Sequence, residues 1–196
     1  MTAELIPPSA PEFVDKFHQF HYSAFRLETL QSYGNSEEDA DFEAFVTGRP
    51  KPRNPGHEQW QAMVRANVHA GRTVQRVHVV TEPLSQYMKL ELTWGYAANA
   101  AAGEDIRIIA VREGEAWPTD VPEDTDYWLF DSTELFHLHY DSDGMWLGTE
   151  TVTDPAMIVT ACHWRDAALH HAMPWHEYIS GQPELAQYVS THEMVP

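Results

Sequence analysis

The chain has 196 residues, 30 of them acidic and 12 basic, which gives a formal net charge of −18. A field of this sign repels phosphate backbones and anionic lipid headgroups, so direct binding to nucleic acid or to a membrane is disfavoured. Hydrophobic residues make up 43% of the chain, which is enough for a core and excludes wholesale disorder. The length suits one domain.

Cysteine usage and the N-terminus indicate the compartment. Cys162 is the only cysteine, so no intramolecular disulfide can form, as expected for a protein of the reducing cytoplasm. The first residues, Met1 to Pro8, lack the basic start and the apolar stretch of a signal peptide. No window approaches the roughly 18 apolar residues of a membrane helix. We therefore expect a cytoplasmic protein without a membrane span.

The N-terminal part is predicted to be helical. Residues 1–11 hold three prolines and are expected to form a flexible tail, followed by a helical segment over 12–48. Apolar residues recur at roughly helical spacing from Pro11 to Tyr33, although Phe25 to Leu30 alternates apolar and polar residues and is ambiguous. A short helix is predicted from Asp39 to Val46. The proline-rich, basic connector 49–56 then marks a predicted subdomain boundary.

Residues 57–180 are predicted to form an α/β core domain. A helix from His57 to Ala70, a strand from Thr73 to Val80, a helix from Leu84 to Ala102 and a strand from Asp105 to Val111 follow in order. Two strands linked through a helix predict a parallel crossover.

The last part of this domain reads as a hairpin meander. Residues 126–155 alternate as three short strands joined by two tight turns, and Asp154-Pro155 starts a closing helix that ends at His171. A last helix is predicted from Pro183 to Val189 within a C-terminal segment, 181–196. The fold class is therefore α/β (α+β), a mixed sheet of about five strands covered by helices, with a late antiparallel meander and helical extensions at both ends.

Arginines within apolar strands suggest a candidate site. Arg76 and Arg107 lie in such strands, and a buried arginine requires a paired carboxylate. Arg107 is expected on a central strand, paired with Glu82, Glu91 or Glu104. The arginines form either a structural ion-pair network or a pocket for a small anionic ligand at the strand ends. The residues predicted for such a pocket are Arg26, Glu28, Arg76, Glu82, Tyr87, Glu91 and Arg107.

Histidines suggest a second kind of site. His137 and His139 lie two residues apart on a predicted strand, while His163, Asp166 and His170 share one face of the closing helix. Two histidines from each element could hold zinc, but this spacing is common, and histidines on an exposed face of an acidic protein are the favoured explanation. We therefore expect no bound metal and no cofactor.

Five phrases of the sequence together resemble an uncharacterised family of domains of unknown function from high-GC filamentous bacteria. The resemblance covers roughly 20–180. It implies a regulatory role and a protein partner, because members are often encoded beside helix-turn-helix regulators. The phrases are Phe25 to Leu30, Val79 to Tyr87, Ala102 to Arg107, Asp126 to Asp131 and Trp164 to Leu169.

The order of elements also resembles, more weakly, that of single phospholipase D-type domains. In that family the strand that leads to an aspartate, here Asp131, carries His-x-Lys. Asp126 and Trp128 stand at these two positions in this chain. The nucleophilic histidine and the phosphate-holding lysine are both absent, so we expect no phosphodiester cleavage by that route.

The leading hypothesis is a non-catalytic cytoplasmic regulatory module that binds a protein partner, such as a helix-turn-helix regulator, or senses a small ligand. The alternative is a small enzyme of secondary metabolism. Such an enzyme would use the arginine, glutamate and tyrosine pocket, or a histidine-based metal site, for acid–base chemistry. The oligomeric state is left open.

Overall fold

The computed structural model describes residues 4–34 and 39–185, and a single mixed sheet of seven strands organises them. The α+β class is confirmed, with seven strands in place of the five expected. The strands are β1 (Ser23–Glu28), β2 (Thr73–Glu82), β3 (Asp105–Arg112), β4 (Asp126–Phe130), β5 (Glu134–Tyr140), β6 (Trp146–Val152) and β7 (Met173–Pro174).

The strand order is β6-β5-β4-β1-β2-β3-β7. β1, β2 and β3 are parallel neighbours, so the predicted parallel pairing of β2 with β3 through a helix is confirmed. β4, β5 and β6 form the predicted antiparallel meander, and β4 joins it to β1. The parallel and antiparallel halves of the sheet therefore meet at β1.

Helices cover the sheet, and polar caps define where several of them begin. The side chains of Asn54, Ser85 and Asp154 accept backbone N–H groups at the first turns of three helices. A π-helical turn, Glu91–Gly95, separates two of the helices. The helices are α1 (Pro11–Val14), α2 (Lys16–Gln19), α3 (Asp39–Val46), α4 (Pro55–His69), α5 (Gln86–Leu90), α6 (Tyr96–Ala101), α7 (Pro155–His171) and α8 (Trp175–Ser180).

The prediction of helical structure from Pro11 to Tyr33 is wrong beyond the short helices α1 and α2. The ambiguous stretch Phe25 to Leu30 contributes most of β1, which pairs with β2 on one side and β4 on the other. A central strand buries both faces, so its polar residues are also buried and its period is hard to recognise. Of the predicted last helix, 183–185 are helical, and the remainder lies outside the described residues.

The two faces of the sheet differ in chemistry. On the first face, Phe25, Leu27, Val77 and Val79 pack against α7 in an aliphatic and aromatic core. On the second face, β1 and β2 turn their alternate residues toward α4, α5 and α6. Arg26, Glu28, Arg76 and His78 belong to that second face, which therefore positions the candidate site. No helix in 4–34 and 39–185 is long and apolar enough to cross a bilayer.

Asp131 ties the end of β4 to the start of β1. Its carboxylate accepts the backbone N–H groups of His21, Tyr22 and Ser23 at 2.7, 2.7 and 2.9 Å. Burial acts to raise the pKa of Asp131, but the three hydrogen bonds together outweigh burial, so the pKa lies below its ordinary value. The φ angles of Asp131 and Ser132, 51° and 58°, are left-handed and aim the carboxylate back at β1.

Replacing Asp131 by Asn should therefore destabilise the fold. Asn tolerates the left-handed backbone, but it removes the charge and replaces one acceptor oxygen with an amide donor that faces backbone N–H groups. We expect a decrease of about 1–3 kcal/mol in the free energy of unfolding, measured by urea denaturation. Asp143→Asn, at an exposed turn residue whose carboxylate has no partner among the described residues, is the control and should have little effect.

The pH dependence adds a second check. A lowered carboxyl pKa contributes stability that is fully present above the ordinary value of 3.8 and is lost as the pH falls below it. The difference in the free energy of unfolding between wild type and Asp131→Asn should therefore be constant above that pH and decrease below it. An equal loss of stability in the Asp143 variant would contradict the assignment.

Candidate ligand-binding site

The parallel register of β1 and β2 brings four polar side chains together on the second face of the sheet. Arg26 lies opposite Arg76, and Glu28 lies opposite His78. Arg26, Glu28 and His78 are buried, His78 completely, and the side chain of Arg76 is 11% exposed. Burying charged groups is costly unless each is paired, so the surrounding contacts determine whether this arrangement is stable.

Glu28 joins the two arginines. Its Oε1 accepts Nη1 of Arg76 at 2.7 Å and Nε of Arg26 at 3.3 Å, and its Oε2 accepts the hydroxyl of Tyr96 at 2.7 Å. Burial acts to raise the pKa of Glu28, but the guanidinium groups of Arg76 and Arg26 outweigh it and hold the pKa far below its ordinary value. Glu28 is therefore ionised.

Two further carboxylates complete the pairing. Nε of Arg76 donates to Oε1 of Glu104 at 2.7 Å, and Nη2 of Arg26 donates to Oδ2 of Asp126 at 3.1 Å. Asp126 also accepts the backbone N–H and the hydroxyl of Thr29, both at 2.8 Å. We call Arg26, Glu28, Arg76, Glu104 and Asp126 the charged network.

His78 lies beneath the charged network as a neutral imidazole. Its Nε2 is 2.8 Å from the carbonyl of Leu30, which can only accept, so Nε2 carries the hydrogen. Burial lowers the pKa of His78 despite the nearby charge of Glu28. Its Nδ1 is then an acceptor, 2.6 Å from the hydroxyl of Tyr96. That hydroxyl has one proton and two acceptors, Nδ1 of His78 and Oε2 of Glu28.

A cavity of about 740 Å³ lies over this part of the sheet, and we call it the β1–β2 cavity. Arg26, Glu28 and Arg76 line its charged end. The rings that we call the aromatic wall also line the cavity and contact one another, several edge to face. The aromatic wall consists of Phe13, Phe17, Trp60, Trp128 and Trp146.

The π-helical turn forms part of the cavity rim. Because a π turn leaves backbone carbonyls without their usual partners, side chains satisfy them: Nζ of Lys51 donates to the carbonyl of Trp94 at 2.8 Å. Burial lowers the pKa of Lys51. A Cβ on Gly95 would lie 2.6 Å from Oε1 of Glu91, so the absence of a side chain at this position lets Glu91 fold back against the helix.

Five of the seven residues predicted for the pocket line the β1–β2 cavity, namely Arg26, Glu28, Arg76, Tyr87 and Glu91. That they bind a ligand stays a prediction.

Glu82 and Arg107 lie elsewhere. Glu82 accepts the hydroxyl of Tyr178 at 2.8 Å and Nε2 of Gln182 at 2.9 Å. Arg107 pairs with Asp105 of its own strand at 3.2 Å, and its side chain is 33% exposed.

The prediction of a buried partner for Arg107 is therefore wrong. The strand β3 has only the two-residue β7 on its outer side, and Arg107 lies opposite Pro174 there. A strand so close to the edge of the sheet leaves this side chain partly in solvent. The arginine that does pair with a buried glutamate of the predicted set is Arg76, which binds Glu104.

Sequence reasoning missed the residues that complete the site. Tyr96, Asp126 and Tyr140 are separated from their partners on β1 by between 68 and 114 positions, and His78 lies 48 positions from its partner Leu30. A signal was present in one case, because Asp126 opens an otherwise apolar strand, where a carboxylate needs a partner.

The histidines predicted as possible ligands do not converge. Nε2 of His139 pairs with Oε2 of Glu150 at 3.0 Å, and Nε2 of His137 is buried without a partner among the described residues. Across 4–34 and 39–185, no three His, Cys, Asp or Glu side chains lie close enough to hold a metal ion.

Asp126 and Trp128, the residues at the positions of the phospholipase D-type His and Lys, have other roles. Asp126 accepts four hydrogen bonds, the last from the hydroxyl of Tyr33 at 2.7 Å. Trp128 stacks on Phe130, and the guanidinium of Arg26 lies 5.7 Å from its ring centroid. Both side chains are therefore engaged in packing and pairing.

Comparisons with known proteins give one family match and a distant structural likeness. A family model with the description "Domain of unknown function (DUF6879)" matches residues 11–180. No curated protein sequence matches the chain. Among solved structures, the chain is similar to Nuc of Salmonella typhimurium, a phospholipase D family member, with a TM-score of 0.46 and 10% identity over 82% of this chain and 86% of that one. The two resemblances drawn from the sequence, to a family of domains of unknown function and to phospholipase D-type domains, are both confirmed as resemblances.

Removing one arginine of the charged network should be far more costly than removing an arginine of the neighbouring strand. Arg76→Ala leaves Glu104 buried without its ion-pair partner, so the free energy of unfolding should decrease by about 3–5 kcal/mol. Arg107→Ala breaks a partly exposed pair and should cost about 1 kcal/mol or less. Urea denaturation of both variants measures the difference. Equal losses would show that burial of the ion pair is not what stabilises this face.

The neutral state of His78 predicts how stability changes with pH. A histidine whose pKa is lowered by folding binds its proton more tightly in the unfolded chain. Wild-type stability should therefore decrease as the pH falls below 6.5, the ordinary value for histidine. His78→Gln should remove this part of the slope, while His163→Gln, at an exposed position of α7, should retain it. An unchanged slope in the His78 variant would contradict a neutral His78.

Proposed function

We propose that this chain, which belongs to the DUF6879 family of domains of unknown function, is a cytoplasmic regulatory module that senses a small ligand in the β1–β2 cavity. The observation that carries the proposal is the charged network, which forms one end of a cavity of about 740 Å³. Small-molecule sites in proteins span about 300–1,000 Å³ and combine apolar walls with a few convergent polar groups. The aromatic wall and the charged network supply these two parts.

A purely structural role explains the charged network less well. Replacing a buried ion pair by well-packed apolar residues is often neutral or stabilising, so stability alone does not call for five charged side chains here. Arg26, Glu28 and Arg76 line an open volume in which a ligand could contact them. The arrangement favours recognition of a ligand as the reason for placing these charges beside a cavity.

The regulatory part of the proposal rests on the charge of the chain and on the family resemblance. A net charge of −18 suits a protein partner better than nucleic acid. We propose that occupation of the cavity changes the binding of such a partner, for example a helix-turn-helix regulator. Because β1 contributes Arg26 and Glu28 and pairs with both β2 and β4, a ligand held there contacts the strand that joins the two halves of the sheet.

One observation favours the alternative, an enzyme that uses acid–base chemistry. The hydroxyl of Tyr96 lies within hydrogen-bonding distance of Oε2 of Glu28 and Nδ1 of His78, so a proton could move along these three groups. Tyr96 and Glu28 line the cavity, whereas His78 lies behind them. Burial raises the pKa of Tyr96 well above its ordinary value, which favours a hydroxyl that keeps its proton and supports binding over proton transfer.

Filling the cavity tests the proposal. Asn99 lines the cavity on α6, and Asn99→Trp should occupy volume that a ligand needs. Ala101→Trp, at an exposed position of the same helix, is the matched control. Wild-type protein, incubated with a small-molecule extract of its native cells, should carry a bound mass in native mass spectrometry. The control should carry the same mass, and Asn99→Trp should lose it.

A second variant guards against misfolding of the first. Gln59→Trp places the added ring on α4, where the side chain of Gln59 is exposed at the cavity. Thermal melts establish which variants are folded. A wild type that binds nothing, or folded cavity variants that retain the bound mass, would overturn the proposal.

A further inference from the structure

We infer that the ligand of the β1–β2 cavity is an uncharged, flat aromatic molecule that presents a carbonyl oxygen to Arg26 and Arg76. The inference rests on the proposed function and concerns the chemical class of the ligand. It follows from three properties of the cavity: the donors that remain unused, the balance of charge, and the shape of the apolar wall.

The charged end of the cavity offers hydrogen-bond donors. The three hydrogen bonds of Arg26 use Nε and Nη2, and those of Arg76 use Nε and Nη1. Nη1 of Arg26 and Nη2 of Arg76 therefore have no acceptor in the part of the chain that the structure describes, and neither is sealed off as a buried unpaired atom. Both guanidinium groups donate to the same oxygen of Glu28 and both line the cavity.

Tyr140 supplies a further donor. Its hydroxyl oxygen accepts Nη2 of Arg26 at 2.9 Å, while its own proton has no acceptor among residues 4–34 and 39–185. Burial raises the pKa of Tyr140 to about 12, so the proton is retained. A guanidinium N–H has no lone pair and can only donate. The group that completes this end of the cavity must therefore be an acceptor.

The balance of charge favours a neutral acceptor over an anion. Two guanidinium groups face three carboxylates, Glu28, Glu104 and Asp126, so the charged network already has an excess of one negative charge. Both guanidinium groups of the charged network are already paired with carboxylates, so an anionic ligand at this end of the cavity would increase the negative excess in a buried site. A cationic ligand would meet N–H donors. A carbonyl oxygen accepts the donors and adds no charge.

The aromatic wall determines the shape of the remainder. Phe17 contacts Trp60 and Trp128 edge to face, with ring centroids 5.4 and 4.9 Å apart, and Phe13 contacts Trp146 in the same way at 5.7 Å. Rings held in such arrangements present faces and edges to which a further flat ring can stack or pack edge on. An aromatic body that carries a carbonyl group therefore matches both the aromatic wall and the donors of the charged network.

A set of naphthalene probes of equal shape tests the inference. The probes are 2-naphthamide, which is neutral with a carbonyl, 2-naphthoate, an anion, and 2-naphthylmethylammonium, a cation. Binding to the full chain is followed by quenching of tryptophan fluorescence, because three tryptophans lie in the aromatic wall, and by the shift in melting temperature. We expect the amide to bind at least ten-fold more tightly than either charged probe.

Two variants assign the carbonyl contact. Tyr140→Phe removes one donor while Arg26 keeps its bond to Asp126, so amide binding should weaken several-fold without loss of the fold. Tyr22→Phe, where the side chain is exposed, should bind as wild type does. Asn99→Trp should abolish binding of the amide. An equal weakening in both tyrosine variants would contradict the contact.

The outcomes separate this inference from the proposed function. Tighter binding of the naphthoate or the ammonium probe, abolished by Asn99→Trp, would overturn the neutral class and leave the cavity as a ligand site. Binding of none of the probes to a wild type that still carries a native mass sensitive to Asn99→Trp would also overturn the class alone. If the wild type binds no probe and carries no native mass, both the ligand class and the proposed function are overturned.

Discussion

Glu28 accepts hydrogen bonds from guanidinium groups on two adjacent parallel strands, and the other polar contacts of this face are arranged around that pairing. Arg26 is buried and Arg76 is largely so, and each therefore needs an acceptor that stays in place. A slip of β1 against β2 by one residue would turn Arg26 and Glu28 into the aliphatic core under α7. The ion pairs therefore specify the parallel register as well as neutralising charge.

The same constraint explains why the two faces of the sheet are built differently. On the first face, aliphatic residues meet the long helix α7 and fill the space between sheet and helix. On the second face, Arg26 and Arg76 are tied down to the strands, and their guanidinium groups lie over the rings of Trp128 and Tyr96. The two arginine side chains, held by these contacts, line the cavity without filling it.

The π-helical turn supports the other side of that volume. Its carbonyl groups at Leu92 and Trp94 accept donors from Trp175 and Lys51, which lie far from the turn in the sequence. A helix that interrupts its own hydrogen-bond ladder is stable only when other side chains complete it. The turn is therefore stabilised by side chains from outside it, and it lies beside the cavity.

Local pattern by itself determined much of this protein: the alternation in β2 and β3, the hairpin meander from β4 to β6, and the helices α4 and α7. These elements each have one face that the sequence reveals through its period. β1 could not be assigned because its polar residues are as buried as its apolar ones, so alternation no longer separates inside from outside. The sequence likewise indicated that arginines in apolar strands need carboxylate partners, but it did not identify those partners.

Only the tertiary structure determined which charged side chains pair with one another. Arg107 reads like Arg76 in the sequence, yet β3 lies next to a two-residue strand and leaves Arg107 partly in solvent, whereas β2 is enclosed between β1 and β3. Asp126 and Arg26 are 100 positions apart and meet because β4 pairs antiparallel with β1. The physical reason is that burial and pairing of a charge depend on strand order, and strand order is set by contacts between distant segments that no local period records.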